Sequence, residues 1–210
     1  MIAQHENAGF CFVAGNPAYL APEEKQLDTQ SRLVDLVKGA KDRVEAAPVF
    51  IGAEGQSELT SELASRYDAI PFMLLDGSIQ SRISELKSTV DNGIGVYCPY
   101  LLSSATNEDR IRLLGLYALR RRWVRESLRK IGIRTNDIRA QISEGQRIDE
   151  SARGILNDAL QALALCDEHD FQDRLTKLAS AGAKYAAFLP ATESVQEHER
   201  LRQLISDSAA

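Results

Sequence analysis

The stretch Val49 to Ala64, VFIGAEGQSELTSELA, carries the most chemistry in the chain. A β-type apolar run ends at Gly52-Ala53, a turn with a second glycine follows at Gly55, and a helix is predicted to begin near Gln56 or Ser57. Glycine lets a backbone approach a ligand closely. A helix start offers unpaired N–H groups and positive dipole potential, and both suit a phosphate. In a parallel barrel, active sites sit at this C-terminal edge of the strands. The same order of strand, glycine turn and helix also serves simply to reverse the chain in α/β proteins. The charge of Glu54 counts against a phosphate unless that side chain points away.

The other constellations have plainer readings. Asp76-Gly77-Ser78 follows an apolar run and opens a helix, so Ser78 is a natural N-cap, with ligand contact the lesser alternative. Asn16 has the same ambiguity. Arg120, Arg121, Arg122, Arg125, Arg129 and Lys130 form a cationic helix face. Cations near a helix C-terminus are favourable, and a solvated face is preferred over an anion site. Leu113, Tyr117, Val124, Leu128 and Ile131 form the opposing apolar stripe, with Trp123 beside it as a core or dimer contact. His5, His169 and His198 are the three histidines. His169 reads as a capping, solvated turn, and Gln196 to Arg200 as an exposed helical face. HExxH, Walker, GxSxG and paired-cysteine motifs are not found.

Composition sets the frame for these residues. The chain has 210 residues, 44% of them apolar and 26% charged, with a net charge of −5. That composition suits a folded globular protein with a real core. A mildly acidic balance argues against a nucleic-acid binder, which carries a basic face. Cys11, Cys98 and Cys166 are odd in number and widely spaced, which argues against a disulfide scaffold or a zinc site. No apolar run approaches the ~20 residues of a membrane helix. The opening MIAQHENAGF lacks a basic stretch followed by an apolar core. A soluble, cytoplasmic protein without membrane or nucleic-acid partners is the expectation.

The elements that must position the chemistry alternate. Apolar runs at Phe10 to Ala14, Val49 to Ala53, Ile70 to Leu75, Ile94 to Leu102 and Tyr185 to Leu189 read as strands. They are continuously apolar, the pattern of strands buried on both faces in a parallel sheet. Between them, Leu33, Leu36, Val37 and Ala40, and Ile79, Ile83, Leu86 and Val90, keep helical spacing. Thr106 and Asp109 have capping-box spacing ahead of one long helix reaching about Ile131, with Gly132 as its stop. Arg134 to Ser151 reads as a connection or a short-helix insertion. The alternation predicts right-handed βαβ units and a parallel sheet or barrel, over one domain spanning 1–210.

VFIGAEGQSEL, its Ala-containing helix and Tyr67-Asp68-Ala69-Ile70 resemble the strand–turn–helix of the luciferase-like monooxygenase superfamily. The likeness is nearest the deazaflavin-dependent branch that includes methylenetetrahydromethanopterin reductase. GFCFVAGNP from Gly9, the Val-Tyr-x-Pro run within Ile94 to Leu102, and Phe171 to Leu189 follow collinearly. The resemblance implies an α/β fold, a partial or contracted (β/α) TIM-type barrel with parallel strands. It also implies that Gly52, Ala53, Gly55 and Gln56 pack their backbone against the phosphate side of a deazaflavin coenzyme or FMN. The chain departs from the pattern at Glu54, Gln56 and Ala69. Five strand candidates stand where a barrel has eight, so the resemblance implies a homo-oligomer or a barrel-completing partner, a remodelled fold, or loss of the cofactor.

Two functions of different class follow. One is a possible hydride-transfer oxidoreductase binding a phosphorylated flavin or deazaflavin. The other is a non-catalytic binding or assembly protein on a truncated barrel. A lyase or isomerase on an unrelated phosphate-binding barrel is a third. Asn16, Glu54, Gln56, Asp76, Ser103 and Ser104 are the polar groups expected at strand ends. No strong acid–base group stands among them, and no catalytic residue is assigned.

Overall fold

A computed structural model of the chain describes residues 10–12, 29–43, 48–52, 58–102 and 106–208. Five strands and nine helices follow among them, alternating as far as β4 and then running through five helices before β5: β1 (Phe10–Phe12), α1 (Thr29–Arg43), β2 (Val49–Gly52), α2 (Glu58–Tyr67), β3 (Ile70–Leu74), α3 (Ile79–Lys87), β4 (Ile94–Tyr100), α4 (Asn107–Ala118), α5 (Arg122–Lys130), α6 (Thr135–Ser143), α7 (Glu150–Leu163), α8 (Glu168–Ala181), β5 (Ala183–Pro190) and α9 (Val195–Ser208). The strands form one sheet in the order β1-β2-β3-β4-β5, and β1 through β4 pair in parallel. Sequential parallel strands joined by helices are the pattern of a (β/α) barrel, here partial: among the described residues the sheet ends at β1 and at β5.

The chain divides into two compact units. The first holds Met1–Leu74, Ser78–Tyr97 and Leu178–Ala187. Its register pairs Cys11 with Phe50, Phe50 with Ile70, Gly52 with Phe72, and Leu74 with Tyr97. Alternation along β2 turns Val49 and Ile51 to one face, where they join Leu33, Val37 and Ala40 of α1 and Leu63 of α2 in an apolar core. Phe50 and Gly52 face the other way. Gly95 allows a close approach in this sheet: a Cβ there would lie 2.1 Å from Cε2 of Phe72. Behind α2, Asp68 adopts φ +50°, and its Oδ1 accepts from Asn92 Nδ2 at 3.0 Å.

The second unit holds Leu75–Gly77, Cys98–Lys177 and Phe188–Ala210. Its core gathers Leu114, Val124, Leu128, Ile142, Leu156 and Leu160 from α4 to α7. The expected capping box is present: Thr106 Oγ1 accepts the Asp109 N–H at 3.2 Å, and Asp109 Oδ2 accepts the Thr106 N–H at 3.0 Å.

Three expectations need correction. The single long helix is two, because the chain breaks at Leu119–Arg121. There Arg125 Nη1 donates to the carbonyls of Leu119 at 3.1 Å and Arg120 at 2.5 Å, which takes up carbonyls that a continuous helix would have bonded internally. The break turns the helical face, so Val124 and Leu128 are buried while Leu113, Ile131 and Trp123 are exposed. Gly132, at φ +79°, follows α5 as the expected stop. Finally, β5 is not covered on both faces: as the edge strand it leaves Lys184, Tyr185, Ala186, Leu189 and Pro190 exposed.

Candidate functional site

In the first unit, β2 ends at Gly52, half-buried and paired with Phe72. Ala53, Gly55 and Gln56, expected to join it, lie outside the described residues, as do Glu54, Asn16, Ser103, Ser104 and His5. On the sheet face that Gly52 shares stands a row of rings. Phe50 and Phe72 meet edge-on at 5.0 Å, Phe72 and Tyr97 are tilted at 4.8 Å, and Tyr185 meets Phe50 edge-on at 5.9 Å. Such offset and edge arrangements match the quadrupoles of aromatic rings. Tyr185 and the neighbouring Cys11 are exposed, and Phe50 and Tyr97 are partly so.

One polar pair lies on this face. Cys11 Sγ and the Tyr97 hydroxyl are 2.6 Å apart. Burial, the hydrogen bond to Cys11 and its charge push the Tyr97 phenol well above its ordinary value. Tyr97 therefore remains a neutral hydroxyl at physiological pH. Phe50, Phe72, Tyr97 and Tyr185 were read from the sequence only as apolar strand content. Their shared face follows from the parallel register, which single-strand patterns do not contain.

The second unit has a polar group that sequence reasoning missed. Glu197 was expected on an exposed helical face, yet it is buried in the first turn of α9. Its Oε2 accepts the Leu102 N–H at 2.7 Å, just beyond the end of β4. Next to it, exposed His198 shares a 3.0 Å hydrogen bond between Nδ1 and the hydroxyl of buried Tyr100. Burial, and then the charge of Glu197, raise the Tyr100 phenol above its ordinary value. In the His198 tautomer protonated at Nε2, the Tyr100 hydroxyl donates to Nδ1. Nε2 of that tautomer is a donor.

Two arginines close the end of α7. Arg174 donates through Nη1 to the carbonyls of Gln161 at 2.9 Å and Ala164 at 2.5 Å, and through Nη2 to that of Ala162 at 2.9 Å. Arg110 Nη2 donates to the Cys166 carbonyl at 2.8 Å. A charged fork at the negative end of a helix is favourable on both counts. Just past this end, Leu165 forms a parallel bridge with Tyr100, a strand-like contact that the alternation of ALALC did not announce.

Ser78 takes the N-cap position of α3 but makes no side-chain cap hydrogen bond. Asp76 is half-buried, within electrostatic reach of Tyr117. The cationic face is largely spoken for: Arg121 bonds the Tyr117 hydroxyl at 2.9 Å, Arg122 pairs with Glu126 at 2.7 Å, and Arg125 caps α4. The His169 side chain lies outside the described ones. Among the described residues no cluster of His, Cys, Asp and Glu is arranged to hold a metal, and no helix is long and apolar enough to cross a membrane.

A model described as a family of unknown function, DUF7388, matches residues 2–197. No curated protein matches the chain by sequence. Among solved structures it is similar to an F420-dependent secondary alcohol dehydrogenase in complex with an F420-acetone adduct. The TM-score is 0.60 and the identity 10%, over 95% of this chain and 69% of that one. At that identity the likeness is one of fold alone, and it agrees with the partial (β/α) barrel.

Proposed function

The chain belongs to the DUF7388 family, and we propose that it binds a phosphorylated deazaflavin or flavin at its sheet, with the flat ring system against Phe50, Phe72, Tyr97 and Tyr185. The observation that carries this reading is the row of four rings on the face shared with Gly52. A fused heteroaromatic ring is the ligand that such a row best fits. Gly52, Ala53, Gly55 and Gln56 are proposed to hold the phosphate side through backbone N–H groups at the start of α2. The solved relative carries F420, which favours the deazaflavin coenzyme over FMN.

A cofactor of this class would supply hydride transfer, while the protein binds and orients it. Here Tyr97, its neutral hydroxyl hydrogen-bonded to Cys11 Sγ, would lie beside the ring, and Phe50 and Phe72 would exclude water from its apolar side. A non-catalytic binding protein is the second reading. It is favoured by the side chains described on this face, which hold no carboxylate or imidazole.

The test is an absorbance and fluorescence titration of the purified protein with the deazaflavin coenzyme and with FMN. Saturable binding at micromolar ligand, weakened at least tenfold by Tyr185→Ala and by Gly55→Asp in folded variants, is the expected result. No binding of either cofactor by the folded protein overturns the proposal. Binding without reduction of the cofactor by any secondary alcohol would select the second reading.

A further inference from the structure

We infer that β5 is an interface strand whose partner is β5 of a second copy of this chain, paired antiparallel about a two-fold axis at Ala186. The strand closes the sheet order, so among the described residues only its β4 side has a strand neighbour. It is the longest described strand, at eight residues, and is exposed on both faces, through Tyr185 and Leu189 on one and Lys184 and Ala186 on the other. An edge this long, this apolar and this open is a template for another strand.

The identity of the occupant follows from the sequence of the strand, AKYAAFLP. In a two-fold pairing with Ala186 opposite its own copy, Tyr185 faces Ala187 and Leu189 faces Ala183. Phe188 faces Lys184, the one charged residue of the strand, so no like charges meet. Every bulky side chain then has a small or flexible one opposite, and facing side chains are the unit of sheet stabilisation. The adjacent symmetric registers lose this property. Centring on Tyr185 stacks two tyrosines on the axis, and centring on Ala187 sets Tyr185 against Leu189. Self-complementarity about one residue is a requirement of symmetric pairing and of no other. Lys184 Nζ also reaches the Asp91 carbonyl of its own chain at 3.4 Å, which draws its charge from the axis. Pro190, which lacks an N–H, falls at the end of the ladder.

The test measures mass in solution by size-exclusion chromatography with light scattering, at tens of micromolar protein. The full chain is expected at about twice its 23.2 kDa. Ala186→Glu and Ala186→Lys each place like charges on the axis and are expected as monomers. Both sit at an exposed position, and circular dichroism establishes that they are folded. Mixed in equal amounts, the two variants are expected to recover the doubled mass, since opposite charges then meet. A monomeric wild type overturns the inference. So does a wild-type dimer that persists in both single variants.

Discussion

Glu197 reaches from the first turn of α9 to accept the backbone N–H of Leu102 at 2.7 Å, although only 2% of its surface is accessible. A buried carboxylate tolerates such a site because it is hydrogen-bonded, and the N–H depends on it in turn. Truncation of one partner leaves the other unpaired. Glu197→Ala is expected to lower stability by about 1–3 kcal/mol. Glu197→Gln, which keeps an oxygen in place, should lose clearly less. Urea denaturation of the three proteins checks this, and equal midpoints for Ala and wild type would remove Glu197 from the account.

Gly95 is required by Phe72. Its missing side chain is the space in which the ring lies, with Cε2 2.1 Å from where a Cβ would stand. Gly95→Ala therefore forces the ring aside, at a cost of about 1–3 kcal/mol typical of overpacking. Phe72→Leu shortens the ring side of the contact. The double variant should be more stable than the two single losses added together, by an amount a double-mutant cycle resolves. Simple additivity would show that the ring moves freely and that the face is not fixed.

Asp109 gives a pH dependence with a definite sign. The Thr106 hydroxyl and N–H, helped by Arg112, hold its carboxyl below the usual carboxylate value of 3.8. At pH between the folded and unfolded values, the unfolded chain binds more protons, so stability rises with pH. The contribution is present above the unfolded value and is lost as pH falls through the folded one. Wild type should exceed Asp109→Asn in thermal midpoint at pH 7, and the gap should close as the pH falls through the folded value of Asp109. A gap that widens on acidification contradicts the sign.

Much of the sheet is legible in the residues. Val49 to Gly52, Ile70 to Leu74 and Ile94 to Tyr100 are found where continuous apolar runs put them, because burial on both faces leaves no polar interruption to misread. The capping box at Thr106 is equally legible, since its bonds span three residues. The break at Leu119–Arg121 is not: Ala118 to Arg122 has no proline or glycine, and the break is held by Arg125 from the next helix. Glu197 is hidden for the same reason. Within QEHER it looks solvated, and its contact with Leu102, 95 positions earlier, is not visible from its neighbours in sequence. The proposed cofactor turn is legible as a pattern, but the ring face beside it is assembled by pairing between strands.

The order of the strands also bears on how the sheet is made. Each of β2 to β5 pairs with the strand that precedes it in the chain, so no strand must wait for a later one to be inserted beside it. During synthesis, when chain emerges N-terminus first, the sheet can grow by accretion at a single advancing edge. That edge is always the newest strand, and β5 is where growth stops. A nascent chain halted after Tyr100 but before Ala183 would display β4 as its open edge, with Cys98 and Tyr100 within the exposed strand, to whatever lies near the ribosome.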